Sequence, residues 1–468
     1  GLNVGDVVDL EGFLYWYEGP NPHITLVVGT GSINDKNGAL SYADYEAAEL
    51  DSEVTIEAYI QAKQAYAAEY GNTSLYLQDG QGGYFVYRIG CTQEEYDAMA
   101  IGQKISVTGF KSEWAGEVEI ADVSAFAMDD GTYTAPAADV TAALGTNALA
   151  EHINQFVTFK GLVVEPIGDG AAFLYNWDGS GEEGSDLYFN VSKDGVVYNF
   201  TVESDLCGAG TEVYEAVKGL NVGDVIDLEG FLYWYEGPNP HITSVAVTGS
   251  VNDKAEGALS YADYEAAELD SEVTVQAYIQ AKQAYAAEYG NTSLYLQDGE
   301  GGYFVYRIGC TQEEYDAMAI GQEITVTGFK SEWAGEVEIA DVSAFTLGEG
   351  SYLAPAVDVT DALGTDALAE HINQLVTFRG LTVEESDGGA AFLYNWDGSG
   401  EEGSDLYFNV SLNGETYNFT VESDLCGAGT EVYEAVKSLN VGDVIDLEGF
   451  LYWYEGPNPH ITSVSPAN

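Results

Sequence analysis

Hydrophobic and polar residues alternate over short stretches along this chain. Val54, Ile56, Ala58 and Ile60 take every second position of VTIEAYI, the pattern of a strand with one face in a core. SLYLQDGQGGYFVYR from Ser74 reads as two strands around an Asp-Gly turn. TQEEYDAM from Thr92 breaks the alternation, and Thr92 and Glu95 stand at capping-box spacing, which predicts a short helix. GQKISVTGF from Gly102 and VEIADV from Val118 return to the strand pattern. The predicted order is strand, strand, strand, short helix, strand, strand.

A second module has the same order: VTFKGLVV at Val157, AFLYNWDGSGEEGSDLYFNV from Ala172, TEVYEAV at Thr211, GDVIDLEGF from Gly223 and HITSVAV from His241. The pair of modules then repeats, since LDSEVT begins at Leu50 and again at Leu269, a period of 219 residues. One run, GLNVGDVVDLEGFLYWYEGPNPHIT, stands at Gly1 and returns almost unchanged at Gly219 and from Ser438. The fold expected is all-β with short helices, a tandem array of five-stranded Greek-key barrels of the OB type. The boundaries expected are 1–30 for the last two strands of a truncated module, 38–132 for module A1, 133–250 for B1, 257–350 for A2 and 351–468 for B2. Connectors led by Ser41 and Ser260, and others beginning at Val140 and Val359, carry helical signals. The half-module at the start implies continuation into further repeats.

Charge narrows the partners. The chain has 78 acidic and 14 basic side chains, a net charge of -64. Such a surface repels phosphate backbones and anionic membranes, so nucleic acid is excluded as an expected partner. No apolar run has the length of a membrane span, so no membrane insertion is expected in this region. Abundant Tyr, Phe and Trp argue against disorder.

The runs LYLQDGQGGYFVY and IGQKISVTGFKSEWAGEVEI resemble the OB-like domains strung along secreted or surface proteins of Gram-positive and related bacteria. The resemblance extends over essentially the whole chain. It implies barrels throughout and an extracellular or cell-surface setting, and it carries no enzymatic activity.

Candidate chemistry is sparse. Cys91, Cys207, Cys310 and Cys426 occur once per module, after the third strand. This spacing forbids a bond within a module and allows bonds between modules, or between chains. The loop residues Asp178, Glu182, Glu183 and Asp186, repeated as Asp397, Glu401, Glu402 and Asp405, offer oxygens suited to calcium without EF-hand spacing. No other cofactor is expected. The five His residues, His23, His152, His241, His371 and His460, fall at two repeat positions with no readable cluster around them and read as structural. Phe13, Trp16, Tyr17, Phe231, Trp234, Tyr235, Trp453 and Tyr454 read as aromatics for contacts between modules. Tyr76, Tyr84 and Tyr87, with Tyr295, Tyr303 and Tyr306, lie on the second and third strands, the face on which OB barrels hold oligomers. No nucleophile elbow, phosphate loop or zinc-protease helix is present.

The function expected from these features is architectural and non-enzymatic. The barrels would build an extracellular filament, stalk or surface appendage through module contacts, with copies of the chain or further repeats as partners. The alternative is a surface adhesin or carbohydrate-binding array using the aromatic faces, with glycans as ligands.

Overall fold

The computed structural model describes residues 2, 6–16, 19–32 and 38–467. Strand β1 (Asp6–Trp16) pairs antiparallel with β2 (Pro20–Ser32) as a separate two-stranded sheet. Five strands follow: β3 (Glu53–Lys63), β4 (Asn72–Gln78), β5 (Gly83–Gly90), β6 (Gln103–Trp114) and β7 (Glu117–Thr132). They close into a barrel in the order β3-β4-β5-β7-β6. The β5–β7 pairing is parallel, with Phe85 opposite Glu119, and the other pairings are antiparallel. This is the A barrel. Its second copy closes in the same order from strands Glu272–Lys282 to Glu336–Ser351.

The alternation at Val54, Ile56, Ala58 and Ile60 places all four side chains in the A core, beside Leu75, Leu77, Val86, Ile105 and Val107. Helix α1 (Tyr42–Ala47) starts at Ser41, whose side chain accepts from the backbone N–H of Asp44. Helix α2 (Gln93–Ala98) starts at Thr92 with both halves of the capping box formed. The Asp-Gly turn is held by Asp79, whose Oδ1 accepts from the backbone N–H groups of Gln81 and Gly82.

The B barrel consists of strands Phe156–Glu165, Leu187–Lys193, Val196–Val202, Asp224–Phe231 and His241–Ser250. Pairing of the first with Leu187–Lys193 closes the ring, and two-residue strands extend it at Ala138–Asp139 and Leu174–Tyr175. Phe159, Phe189, Phe200 and Tyr214 fill its core. The second copy closes likewise, Thr382 pairing with Ser411. The connector at Val140 differs from the helix expected there: it forms 3₁₀ turns at Thr141–Ala143 and Asn147–His152. Gly145, with φ +79, separates them, and that backbone conformation cannot continue an α-helix.

Two compact units result. One comprises Gly1–Val191 with Tyr198–Thr248, the other Ser192–Val197 with Gly249–Asn468. Each contains one A and one B barrel. Among the described residues, no helix is long and apolar enough to cross a membrane.

Candidate functional site

Within each unit the outer face of β4 and β5 is covered by the B barrel. Tyr76 stacks on Phe231 with centroids 4.4 Å apart, and its hydroxyl meets His241 Nδ1 at 2.9 Å. Tyr233 stacks on His241 and turns its edge to Phe85. Trp234 lies over Gly116, where a Cβ would come within 2.8 Å of Trp234 Cδ1. The backbone is tied as well: Gln78 accepts from the N–H of Phe156 at 2.8 Å, and Glu117 from that of Trp234 at 2.8 Å. Burial pushes the Glu117 carboxyl up to about 8, against the hydrogen bonds from Asn154 and Trp234 that favour its charge. The second unit repeats these contacts through Tyr295, Phe450, His460, Trp453 and Glu336.

At the edge of this seam a cleft opens. In the second unit it has a volume of about 860 Å³ and is walled by the A-barrel residues Tyr289, Tyr306 and Arg307 and the B-barrel residues Trp396, Asp405, Glu422, Asp424, Tyr452, Tyr454 and Asn458. Its counterpart in the first unit measures about 280 Å³, with Tyr70, Tyr87, Arg88, Glu203, Asp205 and Tyr233 in its wall. Arg307 lies over the Tyr306 ring at 4.7 Å, and Arg88 over Tyr87 at 4.8 Å.

The two clefts differ at one buried pair. His241 Nδ1 stands 3.2 Å from Glu203, whereas His460 Nδ1 stands 3.5 Å from Glu422. Burial opposes the charge on Glu203, but the closer histidine overrides it and holds that carboxyl below its ordinary value. In the looser pair burial prevails, pushing Glu422 up to about 7 and His460 down to about 4.

The structure redistributes the residues singled out in the sequence. Tyr76 and Tyr295 are no ligand face, because the B barrel buries them completely. Tyr84 and Tyr303 point into the A core, their hydroxyls donating to Asp79 and Asp298. Tyr87 and Tyr306 alone of the six reach the clefts. Phe231, Trp234 and Trp453 serve the A–B seam, Tyr454 stands in a cleft wall and Tyr235 is exposed. Phe13 and Trp16 are exposed, and Tyr17 lies outside the described residues.

All four cysteines are free thiols. Cys91 packs against the A core and Cys207 against the B core, and burial pushes Cys207 and Cys426 up to about 11. The pairing expected between modules is therefore not made. In the acidic loops offered for calcium the carboxylates serve separate partners. Asp178 accepts from Ser180, Glu183 pairs with Lys218 at 2.9 Å, and Asp186 accepts from Ser204. Asp397, Glu402 and Asp405 do the same with Ser399, Lys437 and Ser423, while Glu182 and Glu401 are exposed. Among the described residues no group of three or more His, Cys, Asp or Glu could hold a metal ion.

Sequence reasoning missed the seam polar groups Glu117, Asn154 and Glu203, and it placed no partners around His241. Their signal was a charged or amide side chain recurring at one repeat position beside apolar strand residues.

No protein-family model matches the chain, and no curated protein matches it. The resemblance to bacterial surface repeat proteins therefore goes no further than the OB-like barrel. Solved structures similar to parts of the chain include the p204 HINb domain, at 11% identity and a TM-score of 0.21, covering 42% of this chain and 96% of that one. The Ifi202 HINa domain in complex with 20bp dsDNA is similar at 9% identity and a TM-score of 0.16, covering 42% and 97%. A deletion mutant of the single-stranded DNA-binding protein from Thermus aquaticus is similar at 16% identity and a TM-score of 0.16, covering 42% and 94%. Two expectations are corrected against this finding. Two of these neighbours are named with DNA and none with a filament; the exclusion of nucleic acid and the filament built from copies of the chain are withdrawn. At these identities the likeness concerns the fold.

Proposed function

We propose that each unit is a non-catalytic binding module whose cleft takes a flexible cationic chain, a Lys- and Arg-rich peptide segment being the simplest of that class. The carrying observation is the cleft of the second unit. Exposed Trp396, Tyr289 and Tyr454 stand in its wall with the carboxyl groups of Asp405, Glu422 and Asp424. Aromatic faces attract ammonium and guanidinium groups. A net charge of -64 draws cations toward the surface and raises their local concentration. Arg307 is the one Lys or Arg among the lining residues, and it is spent on the Tyr306 face.

A second reading, single-stranded nucleic acid, is favoured by that same Arg307–Tyr306 pair, since a ring to stack a base and a guanidinium for its phosphate are the parts such binding uses. Fluorescence anisotropy with the full chain separates the two, using a labelled Lys/Arg peptide and a labelled oligothymidine at equal ionic strength. The peptide is expected to bind, and Trp396→Ala combined with Asp424→Asn is expected to weaken it at least about tenfold. Binding of the oligothymidine without the peptide would replace the first reading with the second.

A further inference from the structure

With 78 acidic and 14 basic side chains in the chain, carboxylates are in excess around every cation. Every described Lys and Arg but two gives its charged end to a carboxylate or to backbone carbonyls. Even exposed ones do so: Lys160 pairs with Asp139 at 3.0 Å and Arg379 with Asp358 at 2.8 Å. The exceptions are Arg88 and Arg307, one in the wall of each cleft. Among the described residues neither guanidinium has a hydrogen bond or an ion pair, and each has only the ring of the tyrosine before it. Glu119 and Glu338 feel their charge from beyond ion-pair distance.

Both arginines stand at the same irregularity of the sheet. Leu75 of β4 pairs with Val86 of β5 and Thr73 with Ile89, so Tyr87 and Arg88 together face Ser74. Such a bulge re-aims a side chain out of the regular ladder. Arg88 has φ +50 there, and its N–H donates to the Ser74 hydroxyl at 3.2 Å. Arg307 repeats this with φ +51 and a bond to the Ser293 hydroxyl at 3.3 Å. That backbone region is strained for any residue with a side chain, and in both units the strained residue lies in the cleft wall. The contact with the tyrosine ring engages the flat face of the guanidinium. Its N–H groups point outward in the plane and are left for an acceptor.

The B-barrel wall of the second cleft carries Asp405, Glu422 and Asp424, so the lining has two poles. A polyanion is repelled by those carboxylates and by the net charge of -64. A single carboxylate carried on an otherwise cationic chain is not, and a chain end supplies one without adding an acidic side chain to the ligand. Arginine holds a carboxylate through two parallel N–H bonds. Resting on the reading of the cleft as a site for cationic chains, we propose that each cleft takes the C-terminal end of such a chain. The terminal carboxylate sits on Arg88 or Arg307, and the basic side chains before it face the acidic wall.

Fluorescence anisotropy with the full chain tests it, using one labelled Lys/Arg peptide prepared as its C-terminal acid and as its C-terminal amide. The acid is expected to bind about fivefold more tightly than the amide. Arg88→Gln with Arg307→Gln is expected to bring the acid to the level of the amide or below it. The same variant should hold the amide at least as well as the unaltered chain does, because the clefts lose a positive charge. Both arginines are exposed, and retained binding of the amide reports that the variant is folded. Equal affinities of acid and amide for the unaltered chain would overturn the proposal and leave the cationic reading standing. A preference for the acid that survives the double substitution would overturn the role of the arginines. Failure of both peptides to bind would remove that reading and this proposal together. Oligothymidine binding that the double substitution abolishes would assign the arginines to phosphate and overturn the proposal.

Discussion

The run FLYWYEGPNPHIT begins at Phe13, Phe231 and Phe450, and the opening copy lives in different surroundings from the other two. Phe13 and Leu14 are each 75% exposed, whereas Phe231 is 3% and Leu232 0% exposed. The backbones differ too. In the opening copy β1 runs on to Trp16, with Phe13 opposite His23 and Trp16 opposite Pro20. In the B barrel the strand stops at Phe231, and a turn with one bridge, Trp234 to Pro238, precedes His241. The cause is what lies alongside. In the B barrel Leu232 exchanges backbone hydrogen bonds with Asn154 and Gln155 of the lead-in, and the N–H of Trp234 goes to Glu117. In the opening copy the strand instead continues, with Leu14, Tyr15 and Trp16 opposite Pro22, Asn21 and Pro20 of β2. One sequence therefore serves as a ladder or as a turn, according to the surface offered to it.

The largest test of this contrast is at the shared phenylalanine. Phe231→Ala should cost its unit about 3–5 kcal/mol, while Phe13→Ala should stay within about 0.5 kcal/mol. Urea unfolding of each variant reads the difference, and equal losses would break the comparison. The next test is at the seam hydroxyl. Tyr76→Phe leaves buried His241 without one partner and should cost about 1–3 kcal/mol, whereas Tyr15→Phe in the hairpin should cost little by the same measurement.

The smallest expected effect is a change in a pH slope. Glu422 is raised from 4.5 to about 7, so its contribution to stability is present below about 4.5 and lost as pH rises toward 7. His460 is depressed from 6.5 to about 4, so its contribution is present above about 6.5 and lost as pH falls toward 4. The two slopes oppose each other between those limits. Glu422→Gln should make the slope of stability against pH more positive than in the unaltered chain across that window, and His460→Asn should make it more negative. Urea midpoints measured across the window check both signs, with His23→Asn as the control in the exposed copy. Slope changes of the same sign in the two variants, relative to the unaltered chain, would show that the buried pair does not shape the profile.

Much of the barrel was readable beforehand. The alternation at Val54–Ile60, the Asp79 turn, the caps at Ser41, Thr92 and Thr211 and the order of the strands all depend on residues close together in the chain. The site was not readable, and Tyr76 shows why. A period of two separates two faces of a strand, and it places Tyr76 on the outer one. Here the outer face of one barrel is the inner face of a contact between barrels, so an apparent ligand platform is a buried seam. Glu117 follows the same logic: a carboxylate on the outer parity of its strand suggests solvent, yet the B barrel covers it.

Local spacing was enough to specify the barrels, their helix caps, their duplication and the charge of their surface, because those properties depend on neighbours along the chain or on composition. Which copy of FLYWY becomes core, where a cleft opens and which arginines remain unpaired were decided only in three dimensions. Burial belongs to two surfaces at once, and a stretch of sequence describes just one of them.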